Sequence, residues 1–479
     1  MSEFWTDAAV REALRIEGSA PVGAYTRVST DTRTLGEGAL FVALRGERFD
    51  GHDFLEQAAE RGARGAVVDQ VPEGAPSSLT YYEVEDTLVA LGDLARHYRR
   101  SLNARVCAVV GSNGKTTTKE LTRAVLATRY RVHATEGNYN NLVGTPLTLL
   151  AASPDAEALV VEIGTNAPGE VERLGRIVEP DAVIVTGIAE EHLEGLGDLE
   201  GVLREETALL PLLPEGGVAV VADDPPELAE RARELTSHVH VAGWSEAAEA
   251  ALRAEDVELD EEGRPCFRWQ GRSVRLGLRG RPNARNALLA LAVGLEWGID
   301  PAEAVEALGR ALPAKMRSEF HHYGDLTVIA DCYNANPASV DAAVDLLVAL
   351  PRDGARVAVL GTMRELGEAS AELHRRTAEA VADAGVDLIV ATGEFADAFA
   401  ALSQDLGDRL IRVDDPLDAY APLAERLTGN EIVLLKGSRG VALERLLPRF
   451  EKDWGRMATP RGDEGARAGG EAAAAARGE

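Results

Sequence analysis

A chain of 479 residues is too long for one hydrophobic core and is expected to fold as about two to four domains. Its 79 acidic residues against 50 basic ones give a formal net charge of −29. A field of that sign argues against binding nucleic acid or an anionic membrane surface, though a locally positive pocket can still take a small anion. At 45% hydrophobic it has the material for real cores, yet no apolar run reaches the ~18 residues a spanning helix needs, so no membrane insertion is expected.

The opening "MSEFWTDAAVREAL" is acidic and amphipathic, unlike a signal peptide. Cys107, Cys266 and Cys332 are scattered, without CxxC spacing, and read as reduced thiols of a cytoplasmic protein. From Ala24 to about Val84 short strands, "GALFVAL" and "GAVVD", flank a helix, "HDFLEQAAERGA", in a small α/β unit. A helix over Thr87 to Leu102 follows. From Arg105 the runs "VCAVV", "EALVVEIG", "DAVIVTGI" and "GGVAVVAD" are continuously apolar, as parallel strands covered on both faces are. Helices such as "TTKELTRAVLATR" and "LEGVLREETALLPLL" lie between them. Val257 to Leu278 reads as an antiparallel excursion, and "NARNALLALAVGLEWG" as a helix. From about Lys315 the strands "LTVIAD", "ARVAVLG", "DLIVATG" and "EIVLLKG" alternate with helices in a second doubly wound pattern. The expected fold is therefore α/β in three domains, 1–85, 86–314 and 315–455: a small N-terminal α/β domain, a central parallel sheet and a C-terminal Rossmann-like domain. The low-complexity tail, 456–479, is expected to be disordered.

Lysine is scarce. The chain has five, Lys115, Lys119, Lys315, Lys436 and Lys452, and Lys and Arg are not interchangeable at a phosphate. Lys115 lies in "VCAVVGSNGKTTTKEL", where a buried strand gives way to a glycine loop and then a helix. Such a junction is an anion cradle, because backbone N–H groups point outward and the helix start carries about half a positive charge. Gly111 and Gly114 fit G-x-x-G-K-T, a shorter variant of the usual phosphate loop, with Val109 where an earlier Gly would stand. The central domain is thus expected to resemble P-loop ATPases. Thr116 offers the hydroxyl that meets Mg²⁺ in such loops. Mg²⁺ needs hard oxygen ligands, and two later segments supply candidates: "LVVEIGTN" carries Glu162 and "AVIVTGIAEEHLE" carries His192. Ligands bind at the carboxyl ends of parallel strands, which brings Lys115, Thr116, Glu162 and His192 to one edge. Taken singly, Glu162 reads equally as a capping carboxylate and His192 as a structural ring. No G-x-S-x-G, HExxH or Cys/His pairing supports a hydrolase.

The stretches "STDTRTLGEGALFVALRGERFDGHDF", "GSNGKTTTKE", "EGNYNNLVGTPLTLL", "VVEIGTNAPGEV", "EEHLEGLGDLEGV", "NARNALLA", "DCYNANPAS", "MRELGEAS" and "LLKGSRG" run in order from Ser29 to about Gly440. Together they resemble the Mur ligase family over all three domains; folate polyglutamate synthases share only the last two. The chain lacks the D-N-P-R motif of the diamino-acid-adding type, and "YNANPAS" with "KGSRG" looks like the D-alanyl-D-alanine-adding type.

The resemblance implies an ATP-dependent carbon–nitrogen ligase of cytoplasmic peptidoglycan precursor synthesis. Its partners would be UDP-N-acetylmuramoyl-tripeptide and D-alanyl-D-alanine, its cofactors ATP and Mg²⁺, and its state a monomer. A substrate carboxylate would attack the γ-phosphate to give an acyl phosphate, which the incoming amine displaces; ADP and phosphate leave. The resemblance also places residues. Gly111, Ser112, Asn113, Gly114, Lys115, Thr116 and Thr117 would hold the ATP phosphates, while Thr116, Glu162, His192 and Glu206 arrange Mg²⁺. Lys115, Glu162 and His192 would be the catalytic set. Asn283 and Asn286 would take adenine, with helix capping the alternative, mostly for Asn283. Asp331 would take the ribose and Arg317 would reach the nucleotide. Thr32, Arg33 and Arg48 would bind the uridine diphosphate end, making domain 1–85 the UDP-binding one. Asn138, Asn140 and Asn141 would contact substrate or phosphate, or simply form a turn. Asn334, Asn336, Lys436, Ser438 and Arg439 would receive the dipeptide.

Three positions depart from the family pattern. Glu206 stands where a carbamylated Lys is usual and is shorter by three bonds, roughly 3–4 Å; an exposed helical Glu is the alternative. Pro282 replaces a His before the adenine-motif Asn, and Thr362 replaces an Asp. Two rivals follow: a sibling ligase with a different amine, and a catalytically quiet nucleotide-binding scaffold.

Overall fold

The computed structural model describes residues 4–19, 23–46, 49–351 and 353–455; Arg48 and the 456–479 tail lie outside them. Two compact units result. The first takes in the chain to Ala314 with Asn336–Ala342 and Glu365–Ser370, and the second takes in Lys315–Ala335, Ala343–Arg364 and Ala371 onward.

In the first unit a four-stranded sheet, β1 (Val28–Ser29), β2 (Leu40–Val42), β3 (Gly65–Val68) and β4 (Thr80–Glu83), is parallel and runs in sequence order. Next in the chain come β5 (Arg105–Val110), β6 (Val132–Ala134), β7 (Ala158–Glu162), β8 (Ala182–Val185), β9 (Val218–Ala222) and β10 (Val239–Ala242). They form one parallel sheet in the order β10-β9-β8-β5-β7-β6. A three-stranded antiparallel sheet follows, β11 (Glu255–Leu259), β12 (Pro265–Trp269) and β13 (Arg272–Arg275). The second unit holds β14 (Glu319–Tyr323), β15 (Leu326–Asp331), β16 (Arg356–Leu360), β17 (Leu388–Thr392), β18 (Leu410–Val413) and β19 (Ile432–Lys436) in the order β14-β15-β19-β16-β17-β18. All of its pairs are parallel except β14–β15, an antiparallel edge.

The central sheet shows why its strands read as unbroken apolar runs. Val106, Ala108, Val110, Leu159, Val161, Val183 and Val185 face one core, which they share with Leu91, Leu94, Val171 and Leu174 of flanking helices. The alternate residues Cys107, Val109, Val160, Ile184 and Val220 face a second core with Leu121, Val125, Leu288 and Leu291. Neither face of the sheet meets water, so both sets must be apolar. The first core also contains Trp5, Tyr25, Val42, Val67 and Tyr82, so the four-stranded sheet and the central sheet share one interior.

The helix expected over "LEGVLREETALLPLL" is shorter than the sequence suggests. It spans Leu199–Glu206, and a 3₁₀ turn at Leu210–Leu212 follows. Pro211 lies in that turn; it has no N–H to donate and its ring clashes with the preceding turn. Likewise "HDFLEQAAERGA" opens with a 3₁₀ turn, Gly51–Phe54, before its helix at Leu55–Glu60. The strands that the sequence did not mark, β1, β4, β6, β10, β14 and β18, are all sheet edges, without the long apolar runs of the covered strands.

One polar contact ties β9 to the helix Pro282–Glu296. Asp223 is buried, with Oδ1 2.7 Å from Arg285 Nε, and its Oδ2 accepts from the N–H groups of Trp244 (2.9 Å) and Ser245 (2.6 Å). Burial alone would raise its pKa, but the guanidinium and the donated hydrogen bonds outweigh burial and hold it below 3.8. Asp223→Ala leaves Arg285 without its buried partner, and we expect a loss of about 3–5 kcal/mol in chemical unfolding of the first unit. Because the folded pKa is depressed, the wild-type advantage is full above the ordinary carboxylate pKa. It shrinks as pH falls through the lower folded value, so acid titration of the unfolding midpoint should bring the two proteins together.

Candidate active site

β5 ends at Val110 and the chain turns through Gly111–Gly114 into the helix Lys115–Leu126. Two glycines make the turn possible. Gly111 (φ +115°) has no room for a Cβ, which would lie 2.7 Å from Thr186 N, and at Gly114 (φ +86°) a Cβ would lie 2.6 Å from Asn286 Oδ1. Ser112 pins the loop to the exit of β8: its N–H donates to Gly187 O (2.9 Å) and its Oγ accepts from Ala189 N (2.9 Å). Lys115 Nζ donates to Gly111 O (2.6 Å) and Ser112 O (3.2 Å) and lies 3.4 Å from Glu191 Oε1. Thr116 and Thr117 are half-buried on the first helical turn. Lys119 is buried and donates to Thr135 O (2.7 Å), a structural use of a second scarce lysine.

Three carboxylates belong to this edge of the sheet. Glu162 closes β7, in register with Val109 of β5, and its Oε1 accepts from Asn140 Nδ2 (2.8 Å). Glu206 Oε2 accepts from Gly111 N (2.7 Å), at 1% exposure. That burial overturns the alternative of an exposed helical Glu, because the end of its helix is pressed against the phosphate loop. Burial pushes the Glu206 carboxyl up to about 7, with Glu191 adding to the rise and Lys115 opposing it. Glu191, which the sequence reading did not single out, is buried beside Lys115. Its only sequence signal was its place before His192 in "AEEHLE". Among the described residues, Glu162 Oε2, Glu191 Oε2 and Glu206 Oε1 are buried without a hydrogen-bond partner. A buried anionic oxygen without a donor is costly. Hard cations satisfy such oxygens, so this donor set fits Mg²⁺.

His192 lies on the loop after β8, beyond the strand end, with φ +52° at the start of the short helix Leu193–Leu196. Its Nδ1 is 2.5 Å from Glu365 Oε2 and its Nε2 3.9 Å from Glu191 Oε2. Burial lowers the affinity of the ring for a proton, but Glu365 and Glu191 outweigh it and the pKa is raised. The hydrogen bond at Nδ1 orients the ring and leaves Nε2 toward the carboxylates.

The other residues singled out in the sequence fall into several settings. Asn286 Nδ2 donates to Asn283 Oδ1 (2.9 Å), and Asn283 Nδ2 to Arg279 O (2.6 Å). The helix starts at Pro282 with Arg281 as its flanking residue, so neither Asn caps it. Asn113 and Asn336 exchange amide hydrogen bonds of 3.2 and 3.0 Å within the first unit. Of the "GNYNN" asparagines, Asn140 positions Glu162, and Asn141 Oδ1 accepts from Val143 N (3.1 Å) and Gly144 N (2.8 Å) in the turn that leads into the helix Gly144–Leu150. Asn141 therefore serves the turn. Asn138 is exposed. Thr32 is buried with its hydroxyl on Gln57 Oε1, whereas Arg33 is exposed and pairs with Asp31 at 2.7 Å.

The second unit gathers its own set. Lys436 Nζ is 3.2 Å from Asp331 Oδ2 and donates to Asn334 O (2.6 Å). Asp331 Oδ1 also accepts from Ser318 N (3.0 Å), and Arg317 stacks over Tyr333 at 4.4 Å. Ser438 Oγ accepts from Arg364 N (2.9 Å), and exposed Arg439 lies 3.3 Å from Glu444. The two remaining departures are accommodated locally. Pro282 stands at the first turn of its helix, where a missing N–H costs nothing, and Thr362 Oγ1 accepts from Glu394 N (3.1 Å) at the start of the helix Glu394–Ala398.

Three family profiles match in order along the chain. They are the Mur ligase family catalytic domain at residues 24–99, the Mur ligase middle domain at 109–294 and the Mur ligase glutamate ligase domain at 316–439. The chain is 36% identical over 425 residues to UDP-N-acetylmuramoyl-tripeptide–D-alanyl-D-alanine ligase of Bacillus subtilis (strain 168), covering 88% of this chain and 92% of that protein. The fold is similar to the crystal structure of MurF from Acinetobacter baumannii, with TM-score 0.84, 30% identity and coverage of 94% and 99%. It is also similar to the MurF ligase of Thermotoga maritima in complex with ADP, with TM-score 0.79, 28% identity and coverage of 90% and 98%. On these grounds the chain belongs to the Mur ligase family.

Proposed function

We propose that this chain is the ATP-dependent ligase that joins D-alanyl-D-alanine to UDP-N-acetylmuramoyl-tripeptide in peptidoglycan precursor synthesis. The observation that carries the reading is the Gly111–Lys115 loop, faced by buried carboxylates of which Glu191 and Glu206 contact it directly, in a chain so similar to ligases of that name. The tripeptide carboxylate attacks the γ-phosphorus of ATP, forming an acyl phosphate and releasing ADP. The dipeptide amine then attacks the acyl carbon, and the tetrahedral intermediate expels phosphate. Neither step needs a protein nucleophile; both need positioning and neutralised charge.

In this reading the Gly111–Thr117 amides and the helix start hold the phosphates. Lys115 moves its ammonium from the loop carbonyls to the β- and γ-phosphate oxygens. Thr116, Glu162 and His192 hold Mg²⁺, with Glu206 completing the set in place of the family's modified lysine and Glu191 beside it. Bound Mg²⁺ supplies neutralisation of phosphate charge. Asn140 fixes Glu162 and Glu365 fixes His192. Asn283 and Asn286 take adenine, and Asp331 and Arg317 serve the ribose and phosphates. The uridine diphosphate end binds the 1–85 domain through Thr32, Arg33 and Arg48. The dipeptide meets the 315–455 domain through Asn334, Asn336, Lys436, Ser438 and Arg439. The enzyme works as a monomer in the cytoplasm; no helix of the described residues is long and apolar enough to cross a membrane.

With purified protein, ATP turnover should require both UDP-N-acetylmuramoyl-tripeptide and D-alanyl-D-alanine. Turnover with a diamino acid or glutamate instead would make it a sibling ligase, and nucleotide binding without turnover on any amine would make it a scaffold. Lys115→Ala should lower kcat by at least roughly 10²-fold while circular dichroism and the unfolding midpoint stay unchanged; near-normal rates would remove the phosphate loop from the mechanism. Glu206→Gln keeps an acceptor for Gly111 N but loses the charge. It should raise the Mg²⁺ concentration for half-maximal turnover by at least about tenfold, and an unchanged Mg²⁺ dependence would return Glu206 to a structural role.

A further inference from the structure

β10 is an edge strand of the central sheet; His238 immediately precedes it and His240 lies within it, two residues on, so both rings share a face. His238 O accepts from Ala219 N (2.9 Å), which extends the ladder to that residue. The rings stand 5.1 Å apart, and Glu296, the last residue of the helix Pro282–Glu296, reaches between them. Its Oε1 lies 2.8 Å from His240 Nε2 and 3.9 Å from His238 Nε2. One ligand atom from each of the three residues lies within 4.8 Å of the others. A second carboxylate, Glu249, meets the other side of the His240 ring at Nδ1 (3.0 Å). No step of the ligase reaction uses any of these four residues.

We infer that His238, His240 and Glu296 form a site for a divalent transition-metal ion of the Zn²⁺ class, distinct from the Mg²⁺ carboxylates of the phosphate loop. Two imidazole nitrogens and one carboxylate oxygen are a borderline-soft set that suits Zn²⁺ and leaves a fourth position for water; Mg²⁺ prefers oxygen alone. Zn²⁺ at ordinary bond lengths needs its ligand atoms about 3.3 Å apart. His238 is 42% and Glu296 34% exposed on their side chains, so both have freedom to close that distance and the ion has a route in. The metal would replace the direct contact between His240 Nε2 and Glu296 Oε1. Glu249 already holds Nδ1, the outer carboxylate that fixes the tautomer and aims a metal-binding imidazole. The carboxyl end of a helix also favours a cation. The ion would clamp that end to β10, and the helix of 15 residues puts it roughly 20 Å from the end bearing Asn283 and Asn286.

The test uses the full chain, stripped with chelator and then held in excess MgCl₂ and ADP so that the phosphate loop is occupied. ZnCl₂ is titrated against a chromophoric chelator, and Co²⁺ is added in parallel to read ligand-field absorption. Wild type should take up one Zn²⁺ that His238→Ala and Glu296→Gln each weaken by at least about tenfold, while Glu249→Gln weakens it about 10–100-fold. Ligase turnover should be the same in all three variants. No Zn²⁺ uptake by wild type at micromolar free metal, or equal affinity in wild type and His238→Ala, overturns the proposal.

Discussion

The Glu206 carboxylate accepts the Gly111 N–H at 2.7 Å, at a point where the chain has just left a sheet covered on both faces. With apolar cores above and below, the polar chemistry of the central sheet is confined to its ends. The parallel direction of every strand aligns the carboxyl ends of β5, β7 and β8 along one edge. Anything placed there comes to lie beside the phosphate loop. The three buried carboxylates are consequences of that geometry, and each keeps one oxygen without a donor inside the protein. Such an arrangement is unfavourable by itself and becomes favourable when cationic charge arrives.

The same constraint accounts for the use of lysine. In a chain of net charge −29, few positions can be locally positive, and the loop achieves it with a helix start, a row of amides and one ammonium. Lys115 rests on its own loop carbonyls and on Glu191, contacts between flexible polar groups that exchange readily for phosphate oxygens. Lys119, one turn later, points instead into the interior and holds Thr135 O, so two lysines four residues apart do unrelated work.

Departures from the family pattern are absorbed by local geometry. The shorter Glu206 reaches the loop because its helix ends against Gly111, with the carboxylate buried to 1% exposure. Pro282 occupies a helix start where its missing N–H is harmless, and Thr362 retains a capping oxygen for Glu394 N.

Much of this was legible in the residues alone. Long apolar runs announced the covered parallel strands, and "GSNGKTTTKE" announced an anion cradle, because both patterns follow from local rules of burial and backbone geometry. The nine ordered motifs specified the family. Edge strands such as β10 and β14 were not legible, since an edge needs no apolar run and pairing across the sheet decides it. Nor could sequence separate Asn140, which positions Glu162, from its neighbour Asn141, which closes a turn. Glu191 sits in a stretch that reads as ordinary acidic surface, and for Glu206 the residues left a metal-side role and an exposed helical position both open. Only the tertiary structure turned them inward, because burial and charge proximity depend on which segments of chain meet, and segments 95 residues apart meet at Gly111.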